Sequence, residues 1–317
     1  MNANYHLEPE AVVQSLHEAL ITTHDFTQAR IRLKRMISHM PEGNLQICPH
    51  IDGVSFYEKR KYLRKKSDRL YTLAKKRYYE TLLNAIDEYD SRSKKREQAF
   101  DVLADLIRKL YRGHLNLERI ILSRQQYKWF YGRYPKKTPP DYDDFKIPQG
   151  DNVRSKSEQQ IGIEEHLLAV PCHYEQRLEI NVRKQVQILE DDLRKKKQLR
   201  GRLFSYHNNS CYWNVPEELS WMNAPGSVWH TYDSRTGCIT LHPDYTIMLA
   251  DGSFLYWEHE GLFQHFHYRM NAQERVGTME LSGIPESHII RTSEQQANDR
   301  ETLQEIIRTR ILPHLWF

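Results

Sequence analysis

The sequence predicts an α+β protein, with a helical N-terminal region carrying a small hairpin followed by a mixed sheet flanked by helices. Three observations lead there. Apolar residues recur at helical spacing over most of the first 130 residues. Alternating apolar runs flank two Asp-Gly pairs, Asp52-Gly53 and Asp251-Gly252, as hairpins do. Between these regions the proline-rich stretch Pro135-Lys136-Lys137-Thr138-Pro139-Pro140-Asp141, followed by Pro148-Gln149-Gly150, marks a change of pattern. We therefore divide the chain into a basic, mainly helical region over 1–140 and a sheet-containing core over 141–317, with an insert at about 182–238.

The elements follow in order. Val12, Val13, Leu16 and Leu20, then Ile31, Leu33 and Ile37, predict helices between Glu8 and Met40 with a break at Thr22-Thr23-His24-Asp25. Pro41-Glu42-Gly43-Asn44 ends that region, and 45–48 with 54–57 form the first hairpin. Ser67 or Asp68 caps a helix through Leu70, Leu73, Ala74, Tyr78, Leu82 and Ile86, and helices around Phe100–Leu110 and Leu122–Trp129 follow. After the prolines come a helix over 155–169, a strand over 173–180 and a charged helix over 182–199. An aromatic insert spans 204–232, with Tyr206, Tyr212, Trp213, Trp221 and Trp229. The second hairpin, a helix over 270–282, a strand over 287–292 and a helix over 301–312 complete the chain.

Composition narrows the function. A mean hydropathy of −0.76 and the lack of an apolar run near the ~20 residues a span needs exclude a transmembrane helix. The four cysteines are scattered without a Cys-x-x-Cys pair, so reduced thiols and a cytoplasmic location are expected. The net charge of +4 decides little, but its distribution says more. Lys65, Lys66, Lys75, Lys76 and Arg77 lie in a segment interleaved with Tyr62, Tyr71, Tyr78 and Tyr79, and a second basic cluster runs from Arg194 to Arg202. Cations among aromatic rings suit a polyanion, although charge runs are commonly solvated helix faces.

The second hairpin carries the chemistry. Asp244 precedes its first strand and Glu258 ends its second, so two carboxylates stand at its open end. Glu158, in Arg154-Ser155-Lys156-Ser157-Glu158 at a helix start, offers a third acid, although Ser-x-x-Glu is also a capping box. Carboxylates converging in this way hold Mg2+ or Mn2+ for phosphodiester hydrolysis. The geometry has a strict condition. A two-residue turn at Asp251-Gly252 sets Asp244 opposite His259 and sends the two acids to opposite faces, whereas a three-residue loop facing Asp244 to Glu260 returns them to one face. His259 with His265, His267 and Glu260 raises a zinc alternative, but the spacing matches no known helical arrangement.

Arg154 to Glu158, Tyr174-Glu175 with Leu178, Pro243-Asp244-Tyr245-Thr246-Ile247, Tyr256-Trp257-Glu258-His259 with Gly261, Gly283-Ile284-Pro285 and Thr292-Ser293-Glu294 resemble, in that order, a family of uncharacterised bacterial and phage proteins. That family looks like a branch of the PD-(D/E)xK nuclease superfamily. Met40-Pro41-Glu42-Gly43, Tyr62-Leu63 and Leu73 to Tyr79 extend the resemblance into the N-terminal half. The resemblance implies a restriction-endonuclease-like sheet and a metal-dependent nuclease, with DNA favoured over RNA as partner. It implies Asp244 and Glu258 as metal ligands, the His259 carbonyl as another, and Glu158 approaching from its helix. It places a lysine two residues after Glu258, where this chain has Glu260. Lys156 is the first replacement considered for that lysine, with His259 as a proton carrier, Arg154 and Arg275 as phosphate contacts, and Glu175 or Glu260 as support. A nucleic-acid-binding protein that has lost catalysis is the second reading. A homo-oligomer built through the helical half is a further expectation.

Overall fold

The computed structural model describes residues 6–135, 144–199, 203–207, 210–213, 216–223, 226–261 and 266–317. Arg200, Arg202 and His265 lie outside them, as do the side chains of His267, Tyr206, Tyr212, Trp213 and Trp221.

The chain opens with α1 (Pro9–Thr22) and α2 (Thr27–Ser38), and then β1 (Gln46–His50), β2 (Gly53–Glu58) and β3 (Lys61–Tyr62) form a small antiparallel sheet. The long α3 (Asp68–Asp90) starts at Ser67, whose hydroxyl accepts from the Leu70 N–H at 3.2 Å, as an N-cap should. It buries Leu70, Leu73, Tyr78, Leu82 and Ile86 along one face. α4 (Arg96–Arg112), α5 (Leu117–Ile121) and α6 (Arg124–Phe130) complete the helical half.

In the second half, α7 (Lys156–Leu167) leads into β4 (Cys172–Tyr174), β5 (Leu178–Asn181) and α8 (Arg183–Lys195). The insert holds β6 (Phe204–His207) paired with β7 (Ser210–Trp213). β8 (Cys238–Leu241), β9 (Tyr245–Met248), β10 (Phe254–Glu260), α9 (Phe266–Leu281) and β11 (Ile289–Ser293) follow. The C-terminus is α10 (Glu294–Ala297), α11 (Arg300–Ile306), a π segment and α12 (Leu312–Trp316). The central sheet has order β11-β10-β9-β4, with β10–β11 parallel and the other pairs antiparallel. A mixed sheet with helices on both sides makes this an α+β fold, as the sequence pattern implies.

Two hydrophobic cores cover the two faces of that sheet. Tyr245, Ile247, Leu255 and Trp257 enter a core shared with α1, α3 and α4, so the larger core runs across the proline-rich boundary. Tyr256 and Ile289 enter a second core with Val186 of α8 and Val276 and Met279 of α9. Polar contacts pin the halves together: the Gln126 amide donates to Met248 O and Leu315 O, and the Trp129 indole donates to Gln176. Trp316 donates to Ser15 at 2.7 Å, fastening the last helix to the first. No helix among the described residues is long and apolar enough to cross a membrane.

One expected strand is two. The run 173–180 breaks after Tyr174 because Glu175 adopts φ 45°, a left-handed conformation costly for a side chain with a Cβ. β5 then leaves the central sheet and pairs with β8. The expected helix over 182–199 is likewise shorter, closing at Lys195.

Candidate active site

Hairpin register decides where the acids meet. β9 and β10 pair Met248 with Phe254 and Tyr245 with Trp257, and the Leu249 N–H donates to Ser253 O at 2.8 Å. The loop is therefore the three residues 250–252, with Asp251 accepting from the Ser253 N–H at 2.9 Å and Gly252 at φ 91°. One step beyond Tyr245–Trp257, Asp244 falls opposite Glu258. The sequence argument expected a three-residue loop to set Asp244 opposite Glu260. Because the loop begins at Ala250 rather than Asp251, the shift runs the other way, and the two acids become cross-strand partners on one face.

Each acid is held by a distinct set of contacts. Asp244 Oδ2 accepts from the His259 backbone N–H at 2.6 Å, and its own carbonyl accepts from the Glu175 N–H at 3.0 Å. Burial, then the negative charges of Glu258 and Glu158, push its carboxyl well above the usual range. Glu258 is almost fully buried. Its Oε2 accepts from Arg275 Nε at 3.1 Å and Nη2 at 2.8 Å, while Oε1 is buried without a partner. Burial raises its pKa, and the Arg275 guanidinium opposes that rise.

These groups surround a cavity of about 630 Å³, whose wall includes Asp244, Glu158, Glu175, Glu294, Arg154 and Arg275. Glu258 stands behind Arg275 rather than in the wall. α7 and α9 approach the hairpin's open end from opposite faces, delivering Glu158 and Arg275 respectively. Four wall carboxylates face two guanidiniums, and both guanidiniums are engaged: Arg154 with Glu175 at 2.9 Å, Arg275 with Glu258.

Several expectations change. Glu158, expected to approach the ion directly or through water, lines the cavity with its Oε2 accepting from the Tyr174 hydroxyl at 2.6 Å and the Arg154 backbone N–H at 2.9 Å. Its backbone N–H donates to Ser155 Oγ at 3.2 Å, so the capping reading of this residue is realised in part. Among the described residues no three His, Cys, Asp or Glu side chains group as a metal site; the zinc alternative rests on His265 and His267, whose side chains lie outside the described residues. Lys156, the candidate to replace the missing lysine, is exposed and outside the cavity wall, next to Ser155 in it. Glu260 accepts from Arg291 at 2.6 Å, a sheet-edge ion pair. The His259 ring lies 3.1 Å from Glu294 Oε2 through Nε2 and 3.4 Å from Thr292 Oγ1 through Nδ1, so protein partners orient it. Its carbonyl accepts from the Tyr268 hydroxyl at 3.2 Å.

The basic segment divides. Lys75 Nζ donates to Leu122 O at 2.5 Å, Lys76 Nζ to Pro41 O at 3.3 Å and Arg77 Nη1 to Leu45 O at 2.5 Å. These three bind backbone carbonyls that the tertiary fold leaves open, and so anchor α3 rather than face a polyanion. Lys65 and Lys66 are exposed in the turn before α3. In the second cluster, Arg194 pairs with Glu190 and Asp191, and Lys196 with Asp192.

Sequence reasoning missed Tyr174, Tyr268 and Glu294 as site residues. Tyr268 was legible: it lies seven positions before Arg275, two helical turns away on the same face of α9. Glu294 stood only within the Thr292-Ser293-Glu294 part of the resemblance, without a role, because its approach to the site just past the end of β11 is made by tertiary structure.

A hard divalent cation fits this donor set. Glu258 Oε1 is buried without a partner, and Asp244 has its charged form disfavoured by burial, so a cation beside them would satisfy the one oxygen and stabilise the other carboxylate. No family model, curated protein or solved structure matches the chain.

Proposed function

We propose that this chain is a divalent-metal-dependent nuclease acting on DNA, with Asp244 and Glu258 as the metal-holding pair. The observation that carries this reading is the placement of half-buried Asp244 and buried Glu258 together at the open end of the β9–β10 hairpin, one register step past the Tyr245–Trp257 pair, beside a cavity richer in acids than in cations. Such a cavity repels phosphate until a cation enters, which makes metal dependence a consequence of its charge. A bound Mg2+ or Mn2+ would supply charge stabilisation at the phosphoryl oxygens and a water of lowered pKa. Arg275, which donates to Glu258 Oε2 and lines the cavity, would offer its guanidinium to a phosphate bound there. Glu294 and Thr292 fix the His259 ring, and Tyr174 and Arg154 hold Glu158 at the cavity wall. The restriction-endonuclease-like resemblance and the exposed Lys65 and Lys66 favour DNA as the polyanion.

One observation favours the second reading, a DNA-binding protein without catalysis. The position where the resemblance expects a lysine holds Glu260, paired with Arg291, and among the described residues no lysine lines the cavity.

Supercoiled plasmid, linear duplex, single-stranded DNA and RNA incubated with the purified chain and Mg2+ or Mn2+ separate the two. The nuclease reading expects metal-dependent nicking of DNA that chelation abolishes. Salt-sensitive binding that survives chelation, with no cleavage in either metal, replaces it with the second reading.

A further inference from the structure

A second concave site lies in the helical half, away from the acids. A cleft of about 1150 Å³ between α2, α3 and the α5–α6 segment is lined by Arg32, Arg35, Lys75, Arg119, Arg124 and Lys128. Among the described residues Asp68 is the one carboxylate in its wall, and it is taken by Arg119 at 3.3 Å. Arg119 also stacks on Tyr71, its guanidinium 4.0 Å from the ring centroid. Lys75, at the base, is directed to backbone carbonyls, and burial, then Arg119, lower its pKa to about 8.

The remaining cations are unbalanced. Among the described residues Arg32, Arg35, Arg124 and Lys128 have no ion-pair partner, and Arg32 Nη2 is buried without a hydrogen bond. Asp251 attracts Arg32 from beyond salt-bridge distance. A half-buried guanidinium with an unused donor costs stability unless something else satisfies it. Met36, Met40 and Tyr127 add an apolar and aromatic wall to the same cleft.

We infer that this cleft binds a nucleotide carrying two or more phosphates, its phosphates on the four unbalanced cations and its ring system against Tyr127 and the methionines. A terminal phosphate carries about −1.5 to −2 at neutral pH, and every further phosphate adds charge, so a di- or triphosphate matches four cations where a monophosphate does not. Planar guanidiniums suit adjacent phosphates in bidentate contact. Location separates this cleft from the acid site. Asp251, the carboxylate that Arg32 senses, is at the tip of the β9–β10 hairpin, whereas Asp244 stands at its open end, about 20 Å away at ~3.4 Å per residue.

Calorimetric titration of the full chain in a chelating buffer tests this with ATP, inorganic triphosphate, AMP, inorganic phosphate and a single-stranded oligonucleotide. ATP and inorganic triphosphate are expected to bind roughly tenfold or more tightly than AMP or phosphate. The exposed pair Arg124→Glu with Lys128→Glu should weaken that binding by a similar factor while circular dichroism stays unchanged. Asp244→Asn should leave it intact, which keeps this result independent of the nuclease reading. No binding of either triphosphate at millimolar concentration, equal binding of AMP and ATP, or triphosphate binding indifferent to the charge reversal overturns the inference. Oligonucleotide binding that is tighter than ATP and lost on charge reversal also overturns it, making the cleft a strand-binding track.

Discussion

Asp244→Asn is expected to lower metal-dependent DNA cleavage by about a hundred- to a thousandfold and, in the same protein, to raise the melting temperature by about 2–4 °C in metal-free buffer at neutral pH. The opposite signs come from one cause. Asparagine is isosteric, and its carbonyl still accepts from the His259 N–H that Asp244 engages at 2.6 Å. What disappears is a negative charge buried beside Glu258 and Glu158, the charge that metal binding uses and that folding tolerates at a cost. The folded-state pKa of Asp244 lies above its unfolded value. Its contribution is therefore complete below about pH 4 and is lost as pH rises through the folded pKa. The variant lacks that loss. Cleavage and thermal melting measured on the same preparations check both halves; a variant that loses activity and also melts lower would give Asp244 a structural role instead.

Glu165→Gln is expected to remove much of the stability loss that the protein shows between about pH 4 and pH 8. Glu165, on α7 behind the site, has no exposure, and the polar neighbour acting on its carboxyl is the weakly donating Cys172 thiol. Burial pushes its pKa up to about 8, so the folded protein holds it neutral. The folded state binds the extra proton between the unfolded value near 4.3 and about 8, so stability is fully present below about pH 4, falls across that window and is level above it. At ~1.36 kcal/mol per pKa unit, the stability difference between variant and wild type should move in the variant's favour by about 3–5 kcal/mol from pH 4.5 to pH 8.5. Comparing across pH cancels the fixed cost of burying an amide. Denaturant unfolding at four or five pH values measures it, and parallel stability profiles would contradict the assignment.

How much was legible in the sequence follows from the range of the forces involved. The long helices, the Ser67 and Ser155 caps and both hairpins were readable, because apolar periodicity and capping act within a few residues. The strand over 173–180 misled because alternation continues through Glu175, while the left-handed backbone there is set by the Glu175–Asp244 backbone contact and the Arg154 pair. The hairpin's exact register was not readable either, since loops 250–252 and 251–253 are both compatible with an Asp-Gly pair. Lys75, Lys76 and Arg77 read as a polyanion surface because sequence does not reveal which carbonyls the tertiary fold leaves open at Pro41, Leu45 and Leu122. In the site, Asp244 and Glu258 were identified from the order of motifs. The engagement of Glu258 with Arg275, and the delivery of Glu294 just past the end of β11, depend on contacts 17 and 35 residues apart.

The central claim is that Asp244 and Glu258 share one divalent ion. Mn2+ titration followed by electron paramagnetic resonance tests it without reference to substrate. The account predicts about one tightly held ion per chain, as few-carboxylate sites allow, that is lost in both Asp244→Asn and Glu258→Gln and retained in Glu158→Gln. Mn2+ binding that survives both of the first two substitutions, or no binding by the wild-type chain at millimolar Mn2+, would contradict it.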